Sequence, residues 1–138
     1  MQLNDKKINN LFYYWLITSF LLVFMMIIIG GLTRLTNSGL SITEWELFTG
    51  ILPPLSLETW NKYFSLYKEI PQYYLMNNNM SLEEFKVIFY WEYIHRVLGR
   101  VIGIFFLVPL IYFYFVRSIN KEYLQNSTVV MFLIIIQG

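Results

Sequence analysis

The stretch Leu11 to Leu32, LFYYWLITSFLLVFMMIIIGGL, contains no charged residue and decides the fold class. As an α-helix it spans roughly 33 Å, enough to cross a hydrocarbon core of about 30 Å. It is too long for the core of a signal peptide, and no small-residue cleavage site follows it. It therefore reads as a retained transmembrane helix. Phe12, Tyr13, Tyr14 and Trp15 at its start are rings of the kind that gather at the membrane interface. Residues 1–10 before it form a short polar tail with Asp5, Lys6 and Lys7, unlike an Arg- and Ser-rich transit peptide.

After this helix, residues 33–80 read as a polar, aromatic external loop with short amphipathic helices. Ser41 and Glu44 have the spacing of a capping box that would open a short helix at Trp45, and Pro53-Pro54 would break it. Ser56 can cap a second helix that places Leu57, Trp60, Phe64 and Tyr67 on one face, with Pro71 ending it. Such a helix suits the membrane surface, a lid over a site, or packing against the transmembrane helix ends. Ser81 and Glu84 form another capping box, opening a long helix over 81–117 that includes the second transmembrane helix. Pro109 within it predicts a kink, and Arg117 and Lys121 mark its exit. A polar connection over 118–127 then leads to a third apolar segment at 128–138. That segment rises only about 16 Å, so it is expected to be a truncated third helix of a fragment or of a split protein.

The expected fold class is thus an all-α integral membrane protein. It is a helical bundle of two complete transmembrane helices plus a truncated third, with a long helical loop between the first two. Lys6, Lys7, Arg117 and Lys121 fall on one side, which places the N-terminus in the cytoplasm or matrix and the long loop outside. Hydrophobic residues make up 57% of the chain and charged ones 14%, against about 25% in soluble domains. The net charge of +1 provides no field to recruit nucleic acid, and membrane lipid is the implied surroundings. With no cysteine and a single histidine, His95, the chain by itself excludes disulfides, thiolate sites and multi-histidine metal sites.

Chemistry concentrates in Glu92-Tyr93-Ile94-His95-Arg96-Val97-Leu98-Gly99-Arg100. With Glu92 at zero and about 100° per residue, His95 lies near −60°, Arg96 near +40°, Gly99 near −20°, Gly103 near +20° and Arg100 near +80°. One helix face thus gathers a carboxylate, an imidazole, guanidinium groups and two glycines. Ionisable groups at a membrane edge are costly and point to function. A neutral imidazole suits an axial position on heme iron, paired glycines admit a flat ring, and arginine forks match propionates. The same spacing also suits a simple Glu92–Arg96 ion pair and plain Gly-x-x-x-Gly helix packing, with His95 as an interfacial residue.

At these residues the chain resembles the heme A synthase family. The likeness begins with Gly30-Gly31-Leu32-Thr33-Arg34-Leu35-Thr36-Asn37-Ser38-Gly39-Leu40-Ser41-Ile42. It continues through Glu44-Trp45, Gly50, Pro53-Pro54, Trp60, Phe64, Tyr67-Lys68, Pro71 and Met80 to Lys86. It closes on Ile88-Phe89 and Glu92 to Arg100. The loop without cysteine is similar to the alphaproteobacterial and mitochondrial subgroup. The resemblance implies eight transmembrane helices in two four-helix bundles, with the C-terminal half absent from this chain. It implies oxidation of a methyl group of heme O to the formyl group of heme A for terminal oxidases, with heme b in the C-terminal half as electron relay. It also implies a bacterial inner membrane, or the mitochondrial inner membrane in a eukaryote, with heme O synthase as a candidate partner.

Carried over by residue, Glu92 matches the family's catalytic glutamate and His95 its first heme-ligating histidine. Arg96, Arg100 and Arg34 fall in the motifs and are candidate cofactor-binding residues. Glu92 would either pass protons or stay charged to stabilise a cationic intermediate. The partner histidine would lie on a later helix, so this chain alone is expected to be inactive. Two other classes remain open: a bis-histidine b-type cytochrome subunit for electron transfer, and a non-enzymatic membrane assembly fragment.

Overall fold

A computed structural model of the chain describes residues 2–44 and 52–137, with side chains described from Asn10 onward. Its elements are α1 (Gln2–Leu35), α2 (Leu57–Lys68), α3 (Pro71–Met76), α4 (Leu82–Val116) and α5 (Lys121–Gln137), with no strand among the described residues. Residues 10–35 of α1 and the whole of α4 are long and apolar enough to cross a membrane. Phe20, Leu21, Ile27, Ile104 and Val108 leave their apolar side chains uncovered along these helices. That surface suits hydrocarbon, where helices satisfy their own backbone hydrogen bonds. The chain is a membrane helical bundle, as expected from Leu11 to Leu32.

The helices run further than hydropathy suggests. α1 already begins at Gln2, inside the stretch expected as a tail, and α5 begins at Lys121, which shortens the connection expected over 118–127 to a few residues. Hydropathy marks where hydrocarbon starts, whereas backbone hydrogen bonding continues through polar residues. Glu122 in the first turn of α5 also favours the positive end of the helix dipole. α4 stops where Arg117 takes a left-handed backbone conformation, φ 51°. The helix expected to open at Trp45 lies outside the described residues.

Packing forms two compact units, residues 1–26 with 98–138, and residues 27–97. In the first, Trp15, Phe106, Leu110 and Phe113 make a buried cluster, with Phe12, Leu124 and Met131 packed against it. Pro109 lies inside α4 and has no N–H, so it leaves the carbonyl of Phe105, four residues earlier, without its helical partner. The indole N–H of Trp15 donates to that carbonyl at 3.1 Å. One ring thereby fills the core and satisfies a backbone group that hydrocarbon would leave bare.

In the second unit, α1 ends in a Schellman motif. Asn37 adopts φ 50°, its N–H donates to Arg34 at 3.2 Å, and the N–H of Ser38 donates to Thr33 at 2.9 Å. Asn is among the few non-glycine residues that tolerate this conformation. Gln72 of α3 holds the turn by donating to the Asn37 carbonyl at 2.6 Å. α2 is capped by Ser56, whose side chain accepts from the Thr59 N–H. Its Trp60, Phe64 and Tyr67 pack on Phe85, Ile88 and Phe89 of α4. Leu57, expected on that face, is 65% exposed because it sits in the first turn, before the contact begins. Pro71 opens α3 rather than ending α2, which closes at Lys68 with Glu69 as its C-cap. The capping box at the start of α4 forms: Ser81 N–H donates to Glu84 Oε2 at 2.8 Å, and Glu84 N–H to Ser81 Oγ at 3.3 Å.

Two outcomes follow from these contacts. Trp15→Phe leaves the Phe105 carbonyl bare and is expected to cost about 1–3 kcal/mol. In a Pro109→Ala background the cost is expected to shrink, because the alanine backbone N–H restores the helical donor; a double-mutant cycle on unfolding in detergent reads this coupling. Burial pushes the Tyr67 phenol above its ordinary value of 10.0, a bond from Asn77 opposes the shift, and the Glu92 charge adds to it. Its raised value makes the neutral phenol a stabilising form, fully effective below pH 10 and lost as pH rises further. Alkaline unfolding curves are therefore expected to fall less steeply for Tyr67→Phe than for the native chain.

Candidate functional site

Glu92 lies a little over two turns into α4 from Glu84 and is 6% exposed. Donors meet both of its oxygens. The Ser41 hydroxyl donates to Oε2 at 2.7 Å and the Ile42 N–H donates to the same oxygen at 2.8 Å. Arg96, one turn on, donates to Oε1 through Nε at 3.0 Å and Nη2 at 2.6 Å. Nη2 also reaches the Ile42 carbonyl at 3.2 Å. A set made of donors suits an ionised carboxylate, which only accepts. Charge-assisted bonds of this kind are about twice as strong as neutral ones.

These contacts give Ser41 a different role from the expected cap. Its hydroxyl reaches across to Glu92 on α4, while Glu44 pairs with Lys62 of α2 at 2.9 Å. Ser-x-x-Glu is a local pattern, and the stronger partner for this serine is distant in sequence. The Glu92–Arg96 pair raised as an alternative is present, with both side chains largely covered. It coexists with the loop contacts, so mutual neutralisation is only part of its work.

His95 is partly buried on the adjacent side of α4. Among the described residues neither ring nitrogen has a hydrogen-bond partner. Its Nε2 stands 3.3 Å, and its Cδ2 3.6 Å, from the place a β-carbon would occupy on Gly30 of α1. The imidazole fits because Gly30 has no side chain, a function the paired glycines of the motif did not reveal. Arg34 in the last turn of α1 and Arg100 on α4 are exposed, and neither has a partner among the described residues. The structure therefore brings Glu92, Arg96 and His95 together with Ser41, Ile42 and Gly30, and does not bring Arg34 or Arg100 into that group. Gly99 faces the methyl of Met26 at 3.4 Å, ordinary helix packing, and Gly103 has nothing within 4 Å.

Among the described residues no cluster of three or more His, Cys, Asp or Glu side chains could hold a bare metal ion. One imidazole without a competing hydrogen bond among the described residues, beside a fixed carboxylate, is a donor set that would suit a heme iron.

The profile of the cytochrome oxidase assembly protein family, COX15-CtaA, matches residues 13–138. A heme A synthase of Pelagibacter ubique is 56% identical over 100% of this chain and 41% of its own length. Those of Orientia tsutsugamushi strain Ikeda and Parvibaculum lavamentivorans are 46% and 50% identical, over 97% and 91% of this chain and 37% and 36% of their own lengths. The chain thus spans about two fifths of the length of these curated relatives. No solved structure matches it. With the profile covering nearly all of the sequence, the chain belongs to the cytochrome oxidase assembly protein family.

Proposed function

We propose that this chain is the N-terminal part of a heme A synthase, a heme-modifying oxidoreductase of a bacterial inner membrane. In the whole protein, heme O would be converted to heme A for terminal oxidases. The observation that carries this reading is the buried, donor-held Glu92 one helical turn before His95, which has no hydrogen-bond partner among the described residues. Relatives bearing the heme A synthase name support it.

When bound, the heme supplies the iron and the oxidative chemistry. The chain's own residues bind and orient. His95 would hold the heme, and a second histidine would come from a later helix. Glu92 stands as a fixed negative charge near the ring edge, able to stabilise positive charge developing on an oxidised substituent. Its occupied oxygens favour this role over proton transfer, because a base needs a free lone pair facing its proton. Arg96 holds Glu92 and the loop backbone, which favours a positioning role over a propionate contact. Arg34 and Arg100, both exposed, are the better candidates for propionates. A heme b relay in the C-terminal helices, and transfer of heme O from heme O synthase, complete the proposal.

The test is the extracted heme of the full-length enzyme. Glu92→Gln is expected to retain heme and to lose formyl-bearing product by roughly a hundredfold, the scale of one lost electrostatic group. A variant that still makes heme A at the native rate overturns the role. His95→Ala is expected to lose heme from this site, seen as a fall in its absorbance per protein. Gly30→Val is expected to mimic it in part by displacing the imidazole, whereas Gly30→Ala asks the ring to give by only tenths of an ångström. A b-type cytochrome would tolerate these tests differently, since it yields no formyl-bearing heme at all.

A further inference from the structure

Leu40 has φ 76°, a left-handed conformation that is costly for a bulky residue. Its side chain is 66% exposed, so packing of that side chain does not hold it there. The next two residues are Ser41, fully buried, and Ile42, and both donate to Glu92 Oε2. Backbone strain of this kind persists only where the surroundings over-determine it, and it gathers at functional sites. Here the surroundings are visible. The Ser41 N–H closes a turn onto the Ser38 carbonyl at 3.2 Å, and Ser38 itself is tied to Thr33 by the Schellman motif that ends α1. The chain leaves α1 through left-handed Asn37, turns again at Leu40, and presents two donors to one carboxylate oxygen.

We propose that Ser41 is a positioning residue for Glu92, aimed by the left-handed turn at Leu40. This rests on the reading of Glu92 as the catalytic carboxylate and adds what sets its orientation. The serine hydroxyl has one proton to give. Its two acceptors are Glu92 Oε2 at 2.7 Å and the Ile88 carbonyl at 3.3 Å, and the shorter, charged one wins. Arg96, on the same helix as Glu92, holds only the other oxygen, Oε1. Ser41 and Ile42 approach from the loop and fix Oε2. Without the hydroxyl, Oε2 keeps only the Ile42 N–H among these loop donors, and the carboxylate can rotate about its terminal bond.

The experiment uses the full-length enzyme with heme O as substrate, together with infrared difference spectra. The Glu92 carboxylate bands are identified as those lost in Glu92→Gln. Ser41→Ala is expected to shift these bands and lower kcat roughly tenfold or more, with KM little changed, since one bond to a charged group is lost. Ser41→Thr keeps the hydroxyl and is expected to restore both. Leu40→Pro, which forces a negative φ while leaving Ser41 in place, is expected to reproduce the Ser41→Ala band shift; Leu40→Gly, at ease in the left-handed region, is expected to keep native bands and turnover. Native bands in Ser41→Ala, or in Leu40→Pro if Ser41→Ala does not accumulate, overturn the proposal, as does native kcat alongside shifted bands. Normal turnover in Glu92→Gln instead removes the catalytic reading, and a band shift in Ser41→Ala would then stand as structure without function.

Discussion

A buried carboxylate must be satisfied, and the arrangement around Glu92 follows from that requirement. Breaking a buried ion pair by removing one partner typically costs about 3–5 kcal/mol, more than most surface contacts in a domain provide. Arg96 meets the charge from one turn along α4, and the segment after α1 meets it from the side through Ser41 and Ile42. The loop cannot therefore lie anywhere. Once its first residues are pinned to Glu92, the aromatic ridge of α2 comes to rest on Phe85 and Phe89, earlier on the same helix. The described parts of the segment between α1 and α4 thus pack along the first turns of α4 and around the Glu92 charge.

Local signals were legible wherever both partners sit within one turn. Ser56 and Ser81 each cap the helix that their sequence announces, and the Glu92–Arg96 pair is an ordinary i,i+4 contact. Leu11 to Leu32 announced a helix long and apolar enough to cross a membrane, because length and absence of charge are read directly from the sequence. Signals failed where the partner is far away in sequence. Ser41 carries the same Ser-x-x-Glu pattern as Ser81, yet its acceptor lies 51 residues downstream. Gly30 could be seen as a small residue but not as the place where His95 rests. The arginines could be placed in motifs, but only packing separates Arg96, held by Glu92, from exposed Arg34 and Arg100.

The site divides its work between rigid and yielding parts. Glu92 is held from two elements, while His95 has no competing polar contact among the described residues and rests against a glycine. A metal ligand benefits from that freedom, since an imidazole already committed to a hydrogen bond at both nitrogens cannot coordinate. A charge-stabilising group benefits from the opposite, because dipoles fixed beforehand need no reorganisation during reaction. Under the proposed function, the two demands would be met one helical turn apart on α4.

The bond from Trp15 to the Phe105 carbonyl bears on how the chain enters the bilayer. A carbonyl orphaned by Pro109 and left bare would cost about 1–3 kcal/mol. The group that relieves it sits 90 residues nearer the N-terminus, on α1, which is made before α4. The residue that covers the carbonyl exposed by Pro109 is thus already synthesised when the proline is added to the chain.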